Sequence, residues 1–265
     1  MASRRPSYGR PVGRVFSRGV TAVARSRLMS TAFQDPPTSR NTVMDNKTFT
    51  DRFLDVVRPD LPSATDPAKS SALLRRLVKS DLLRFTDMRD DPAKFFLAHR
   101  LLSSVGLNGF GVRFTVQFNL FAGSIVGLGG PAQMELLDHY QQDGTLGCFL
   151  LTEVQAGVLS GLIVETTADW NDDTQTFTLH TPSESAAKNW ISQGVVAEKG
   201  VVIADLRVRG VSHGPHAFIM TLRDGEGGEL LPGITVEDMG YKTIANDLDS
   251  TRAAMQSPLS MQKFP

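Results

Sequence analysis

Cys148-Phe149-Leu150-Leu151-Thr152-Glu153 and, further along, Lys188-Asn189-Trp190-Ile191-Ser192-Gln193-Gly194 bound the stretch whose reading decides the fold. Between them lie strand-like runs at 161–170 and 175–181, joined by Asn171-Asp172-Asp173, a turn sequence between β-rich segments. A hairpin there returns the chain on itself, so the two quoted ends are expected side by side on one sheet. Further β-rich runs follow at 199–208 and 214–222, and Asp224-Gly225-Glu226-Gly227-Gly228 makes another loop. No helix-length pattern intervenes after Gly147, which predicts an antiparallel sheet or barrel rather than a doubly wound parallel fold. The tail from Leu248 to Pro265 adds one strand at most.

Upstream the period changes from two to 3.6. Asn46 to Val57 reads as a short helix with Phe49, Phe53 and Val56 on one face and Pro59 beyond its end. Asp66-Pro67 and Asp91-Pro92 each place a capping carboxylate before a proline suited to the first helical position. Leu73, Leu74, Leu77, Leu82 and Leu83 supply the stripe of the first. Phe95, Phe96, His99, Leu102 and Val105 supply that of the second, which Gly106, Gly109 and Gly111 are expected to break. Phe114 to Val126 and Ala132 to Gln142 complete a helical region. A helical half followed by a strand half makes the fold class α+β, with an all-helical N-terminal domain at 35–147 and an antiparallel β-barrel or sandwich domain at 148–265.

The chain has 265 residues, 28 basic and 28 acidic, and one cysteine, Cys148. A lone cysteine excludes an internal disulfide framework and a cysteine-based zinc site. No apolar run is long enough for a membrane-spanning helix. Residues 1–34 hold seven arginines, from Arg4 to Arg27, with no lysine and no acid. Without them 21 basic residues face 28 acidic ones, a balance that argues against a nucleic-acid partner. That arginine-rich, acid-free segment has the composition of a transit peptide, so a mitochondrial address is expected. The alternative is peroxisomal: Arg27-Leu28, five residues and Gln34 approach an N-terminal peroxisomal signal, although Asp35 stands where Leu or Ala is required.

Few residues carry chemistry by pattern. His213 and His216 lack the further ligands a metal site needs, and no Gly-x-Ser-x-Gly elbow supports a serine nucleophile. The glycines at 123, 127, 129 and 130 lack the following Lys-Ser/Thr of a phosphate loop and read as close packing and a turn. Glu153 is a structural cap or partner in the first instance and a base in the second. Thr152 and Trp190-Ile191-Ser192 are more informative together. A strand-end hydroxyl and backbone N–H groups can bond the N5 and pyrimidine edge of a flavin, whose ring then does the redox chemistry.

These residues resemble the acyl-CoA oxidase and acyl-CoA dehydrogenase superfamily. Cys148 to Glu153 is similar to its Cys/Tyr-Phe/Ala-x-x-Thr-Glu strand, and Lys188 to Ser192 to its Lys-x-Trp-Ile-Ser/Thr segment. Thr166-Thr167-Ala168, Gly214-Pro215-His216-Ala217-Phe218 and Leu120-Phe121-Ala122-Gly123-Ser124 follow the same pattern. His180-Thr181-Pro182, Leu231-Pro232-Gly233-Ile234-Thr235-Val236 and Asp238-Met239-Gly240 look like the oxidase branch.

The resemblance implies FAD contacts from Phe149, Leu150, Leu151, Thr152, Trp190, Ile191 and Ser192. It implies α,β-dehydrogenation of a fatty acyl-CoA, with electrons passed to O2 in oxidases and to an electron-transfer flavoprotein in dehydrogenases. A homodimer or larger oligomer is implied for a complete member. The family serine that touches acyl-CoA falls here on Val158, which has no hydroxyl. Family members continue into helices that carry the catalytic glutamate, so the chain is expected to be a shortened form without that domain. No residue is assigned as catalytic base. A non-catalytic scaffold derived from the family and the dehydrogenase branch are the alternative readings.

Overall fold

The computed structural model describes residues 45–105, 108–156, 164–259 and 261–264. Residues 44–265 form one compact unit. The leader at 1–34 and Val158 lie outside the described residues.

Seven helices come first: α1 (Asn46–Val57), α2 (Pro67–Lys79), α3 (Asp87–Asp90), α4 (Pro92–Val105), α5 (Asn108–Thr115), α6 (Gly123–Leu128) and α7 (Pro131–Asp143). The caps are those the sequence announces. The Asp66 carboxylate accepts from Lys69 N–H at 3.0 Å, and Asp91 accepts from Lys94 N–H at 3.1 Å. The α2 pattern does not run on to Leu83. The helix stops at Lys79, Asp81 takes a left-handed φ of 53°, and Leu82 and Leu83 are buried from the turn instead.

Gly109 and Gly111 do not break a helix but lie within α5. The reason at Gly109 is space, since an added Cβ would come within 2.6 Å of Asp247 Oδ1. A π-helical segment, Val116–Ala122, joins α5 to α6. α7 ends at Gly144, whose φ of 70° gives the left-handed cap that glycine favours.

Nine strands follow: β1 (Gly147–Leu150), β2 (Thr167–Asn171), β3 (Thr176–His180), β4 (Lys188–Ser192), β5 (Lys199–Val208), β6 (Val211–Thr221), β7 (Ile234–Asp238), β8 (Ser250–Leu259) and β9 (Met261–Lys263). The helix-to-sheet order is the one expected, but the sheet is mixed. β1 pairs parallel with the first half of β5, and β2 pairs parallel with its second half. The two short strands are therefore successive pieces of one line along β5, interrupted by the excursion at 151–166. On the next line β3 pairs antiparallel with β2. β3 and β4 then run in succession along β8.

β7 flanks β8. Its lead-in meets the end of β6 at the Arg223–Leu230 bridge, so the sheet curls back on itself. Alternation sorts the side chains. Cys148, Leu150, Val202, Ala204, Phe218, Met220 and Met255 fill the interior of the curl. Phe149, Val201, Ile203, Ala217 and Ile219 take the other face and join the helical core with Phe110, Phe114, Phe118 and Phe121.

Candidate functional site

The two quoted ends do meet. Asn189 N–H donates to Thr152 C=O at 2.8 Å and Val154 N–H to Ala187 C=O at 3.0 Å. An antiparallel bridge joins Glu153 to Lys188. The hairpin predicted between them is present: Asn171 Oδ1 accepts from Asp173 and Thr174 N–H at 2.9 and 3.0 Å.

Below the join lies a buried ion pair. Lys188 Nζ reaches Glu153 Oε1 at 2.8 Å and donates to the carbonyls of Leu151 and Ile203 at 3.2 and 2.8 Å. Glu153 also accepts from Glu165 N–H at 2.7 Å and Thr166 N–H at 3.0 Å. One carboxylate thus ties both ends of the excursion to β4. Burial alone would raise its pKa, but the bond and charge of Lys188 and the two backbone donors outweigh burial and hold it below the ordinary value. Burial pushes the Lys188 ammonium down against the raising effect of Glu153. Glu153 is a structural anchor, as its first reading had it.

The seven residues expected at the cofactor divide by exposure. Leu150 and Ile191 are buried in the barrel interior, so their backbone is what they can offer a ligand. Phe149 is partly buried against the helices. Leu151 and Ser192 are half-buried, Thr152 is exposed, and Trp190 is 60% exposed.

Trp190 has a φ of 59°, in the left-handed region where a bulky residue is strained. The cause is a bulge: Lys188 pairs with Ala253 and Ile191 with Thr251, so Asn189 and Trp190 together face the single residue Arg252. The bulge lets both Lys188 and Ile191 point inward and turns the indole out. Beside it, Asn189 Oδ1 is a buried acceptor with no partner among the described residues. An open aromatic face, a hydroxyl on the adjacent line and an unused acceptor form a cradle that fits a flat ring with a polar edge.

Sequence reasoning missed the network that holds this cradle to the helices. Arg113 of α5 is fully buried. It donates to Asp249 Oδ1 at 2.9 Å, Asp247 C=O at 3.0 Å and Ser70 Oγ at 3.1 Å. Arg113 Nη1 also donates to Gln193 Oε1 at 3.3 Å. Gln193 is buried at the end of β4 with a φ of 71°, and its Nε2 donates to Gly147 C=O at 2.8 Å. Asp249 in turn accepts from Val195 N–H at 2.7 Å. Burial lowers the Arg113 pKa against the raising effect of Asp249. The signal was present, since Arg113 is the one charge between Arg100 and Glu135. A lone charge in an apolar run must find a partner.

His213 and His216 lie in β6, and His216 Nδ1 is 3.0 Å from Gly214 C=O. Among the described residues no group of three metal-ligating side chains occurs, and no helix is long and apolar enough to cross a membrane.

No protein-family model matches the chain. Acyl-coenzyme A oxidase 2, a peroxisomal protein of Arabidopsis thaliana, is 31% identical over 209 residues, which is 73% of this chain and 30% of that one. Acyl-CoA oxidase 3 of Yarrowia lipolytica superposes with a TM-score of 0.61 at 25% identity, over 84% of this chain and 32% of that one. Acyl-CoA oxidase 2 of Caenorhabditis elegans, solved with FAD, ascaroside-CoA and ATP, gives 0.60 at 24%, over 81% and 34%. The chain spans about 30% of the length of the relatives it matches. Over the helical and β-sheet portion that it spans, the chain belongs to the acyl-CoA oxidase family.

Proposed function

We propose that the chain provides the helical layer and flavin-holding barrel of an FAD-dependent acyl-CoA oxidase that acts on fatty acyl-CoA in β-oxidation. The observation that carries this reading is the join of Thr152 to Asn189, which sets an exposed threonine beside an exposed indole on two adjacent lines of the sheet. The cradle contacts are Phe149, Leu150, Leu151 and Thr152 on one side and Trp190, Ile191 and Ser192 on the other. Thr152 and Ser192 offer hydroxyls to the polar edge, Leu150 and Ile191 offer backbone, and Trp190 covers a face and keeps water from it. FAD, when bound, supplies the acceptor for the β-hydride of the acyl-CoA.

Glu153 takes no part in proton removal, because its oxygens are committed to Lys188 and to two backbone donors. The α-proton is assigned to no residue described. Val158 is proposed as an apolar neighbour of the acyl-CoA, in place of a hydroxyl contact. A mitochondrial address is proposed from the arginine-rich leader, with a peroxisomal one as its alternative, and self-association is proposed for the working enzyme.

Titration with FAD tests the cradle. The protein has two tryptophans, Trp170 and Trp190, so bound flavin should quench emission in wild type and in Trp170→Phe but much less in Trp190→Phe. Thr152→Ala and Ser192→Ala should each weaken binding about 3–10-fold, the worth of one hydrogen bond. Colourless protein with no quenching and no rise in Tm on adding FAD would overturn the reading and leave a scaffold. Oxygen uptake with acyl-CoA tests the oxidase assignment.

A further inference from the structure

Two buried side-chain atoms among the described residues lack a hydrogen-bond partner: Asn189 Oδ1, an acceptor, and Arg252 Nε, a donor. They fall at one place in the fold. Lys188 pairs with Ala253 and Ile191 with Thr251, so Arg252 on β8 stands across from the Asn189–Trp190 bulge on β4. An unpaired buried polar atom costs about 1–3 kcal/mol, and a donor and an acceptor set against each other would ordinarily bond and end both costs. Here neither does. Arg252 spends Nη1 on Glu184 Oε1 at 3.3 Å, and Asn189 is fixed from its other side by its N–H bond to Thr152. Arg252 also lines a groove of about 430 Å³ on the outer face of the barrel, floored by Ala187 and Ala254. The vacancy is therefore a donor beside an acceptor, with room next to it.

We propose that Asn189 and Arg252 form a reading pair for an imide edge, with Asn189 Oδ1 accepting from a ligand N–H and Arg252 Nε donating to the carbonyl next to it. The inference rests on the flavin reading above, and the matching edge is the flavin pyrimidine, whose N3–H lies between the C2 and C4 carbonyls. A hydrocarbon or a phosphate has no such donor. The pair explains why the strained bulge persists: a regular ladder would turn Asn189 or Trp190 into the barrel, and the bulge holds both at the ligand face. It also gives Asn189 a specificity role that a backbone contact at Trp190 or Ile191 cannot supply, because only a side-chain acceptor can be deleted without altering the strand.

The test uses FAD and FAD methylated at N3, which lacks the N–H but keeps both carbonyls. Wild type should prefer FAD about tenfold or more, the worth of one buried hydrogen bond and the clash of a methyl group. Asn189→Ala should bind both flavins alike and more weakly than wild type binds FAD. Arg252→Lys should weaken both by a similar factor and keep the preference, since its carbonyl partner is untouched by methylation. Matched circular dichroism and Tm of the variants show that the fold is retained. If wild type binds both flavins equally, or Asn189→Ala keeps the preference, the pair does not read the imide edge, while the flavin site itself stands. If wild type binds neither, the flavin reading falls and this inference with it.

Discussion

Glu153 and Lys188 carry opposite charges out of water, and the sign of their effect is set by what remains when one is removed. Lys188→Met leaves a buried carboxylate, and Glu153→Gln leaves a buried ammonium. Each should cost about 3–5 kcal/mol in urea unfolding. Glu153→Gln/Lys188→Met keeps an acceptor for Glu165 and Thr166 N–H, so it should cost clearly less than the two singles added together. A sum equal to the singles would show that the charges do not act as a pair. pH separates the same effect. The Glu153 carboxyl is depressed in the folded protein. Its contribution is therefore complete above the ordinary glutamate value of about 4.5 and is lost as pH falls through the lower folded value. Urea midpoints of wild type and Glu153→Gln should stand apart at pH 7 and converge in acid below about pH 4.5. A gap that stays constant to pH 3 would assign the stability to another group.

At the scale of elements, the bulge in β4 and the approach of β1 to the helices make opposite demands on glycine. Trp190 holds a left-handed φ without being glycine, at a cost on the order of 1–2 kcal/mol. Because the indole is largely exposed, Trp190→Gly should leave Tm unchanged or slightly raised and yet weaken flavin binding. A protein that unfolds more readily and binds FAD as before would make Trp190 a packing residue. Gly147 is the reverse case. An added Cβ would fall on the ring of Phe121, which is buried in the π-helical segment, and Gly147 N–H donates to Gln117 Oε1 at 2.8 Å. Gly147→Ala should cost about 1–3 kcal/mol through overpacking, and Gly147→Ala/Phe121→Leu should recover part of it, as urea unfolding can measure. Much of this scale was legible beforehand. The limits of α1 and the caps at Asp66 and Asp91 follow from local chemistry, and so does the turn at Asn171. Less legible were β4 and β7, short runs whose place is set by β8, far along the chain. The parallel pairing of β1 and β2 with β5 was hidden as well, since register between distant strands leaves no local mark.

Across the whole molecule, the helices and the sheet meet in two ways. One is apolar: Phe149, Val201, Ile203, Ala217 and Ile219 continue the phenylalanine core of the helices, and period-two alternation made that face readable. The other is the polar line through Ser70, Arg113, Gln193 and Asp249, whose members lie on α2, α5, the end of β4 and the approach to β8. No window of sequence contains two partners of it, apart from Asp247 and Asp249, so pairing was hidden even though the isolated charge at Arg113 was plain. The line bears directly on the candidate site, because Gln193 and Val195 close the segment that begins with Trp190. It also couples folding of the two parts. Far-UV circular dichroism reports mainly the helices, and Trp170 and Trp190 report the barrel. Their urea transitions should coincide in wild type, as a single cooperative unit requires. Arg113→Met leaves the Asp249 carboxylate buried against Val195 N–H alone, and should lower stability by about 3–5 kcal/mol. Arg113→Met/Asp249→Leu should be less damaged than the Arg113 variant, since both charges are gone. If tryptophan emission in wild type changes at a lower urea concentration than helix signal, the buried arginine does not bind barrel to helices, and the flavin cradle must be held by the sheet alone.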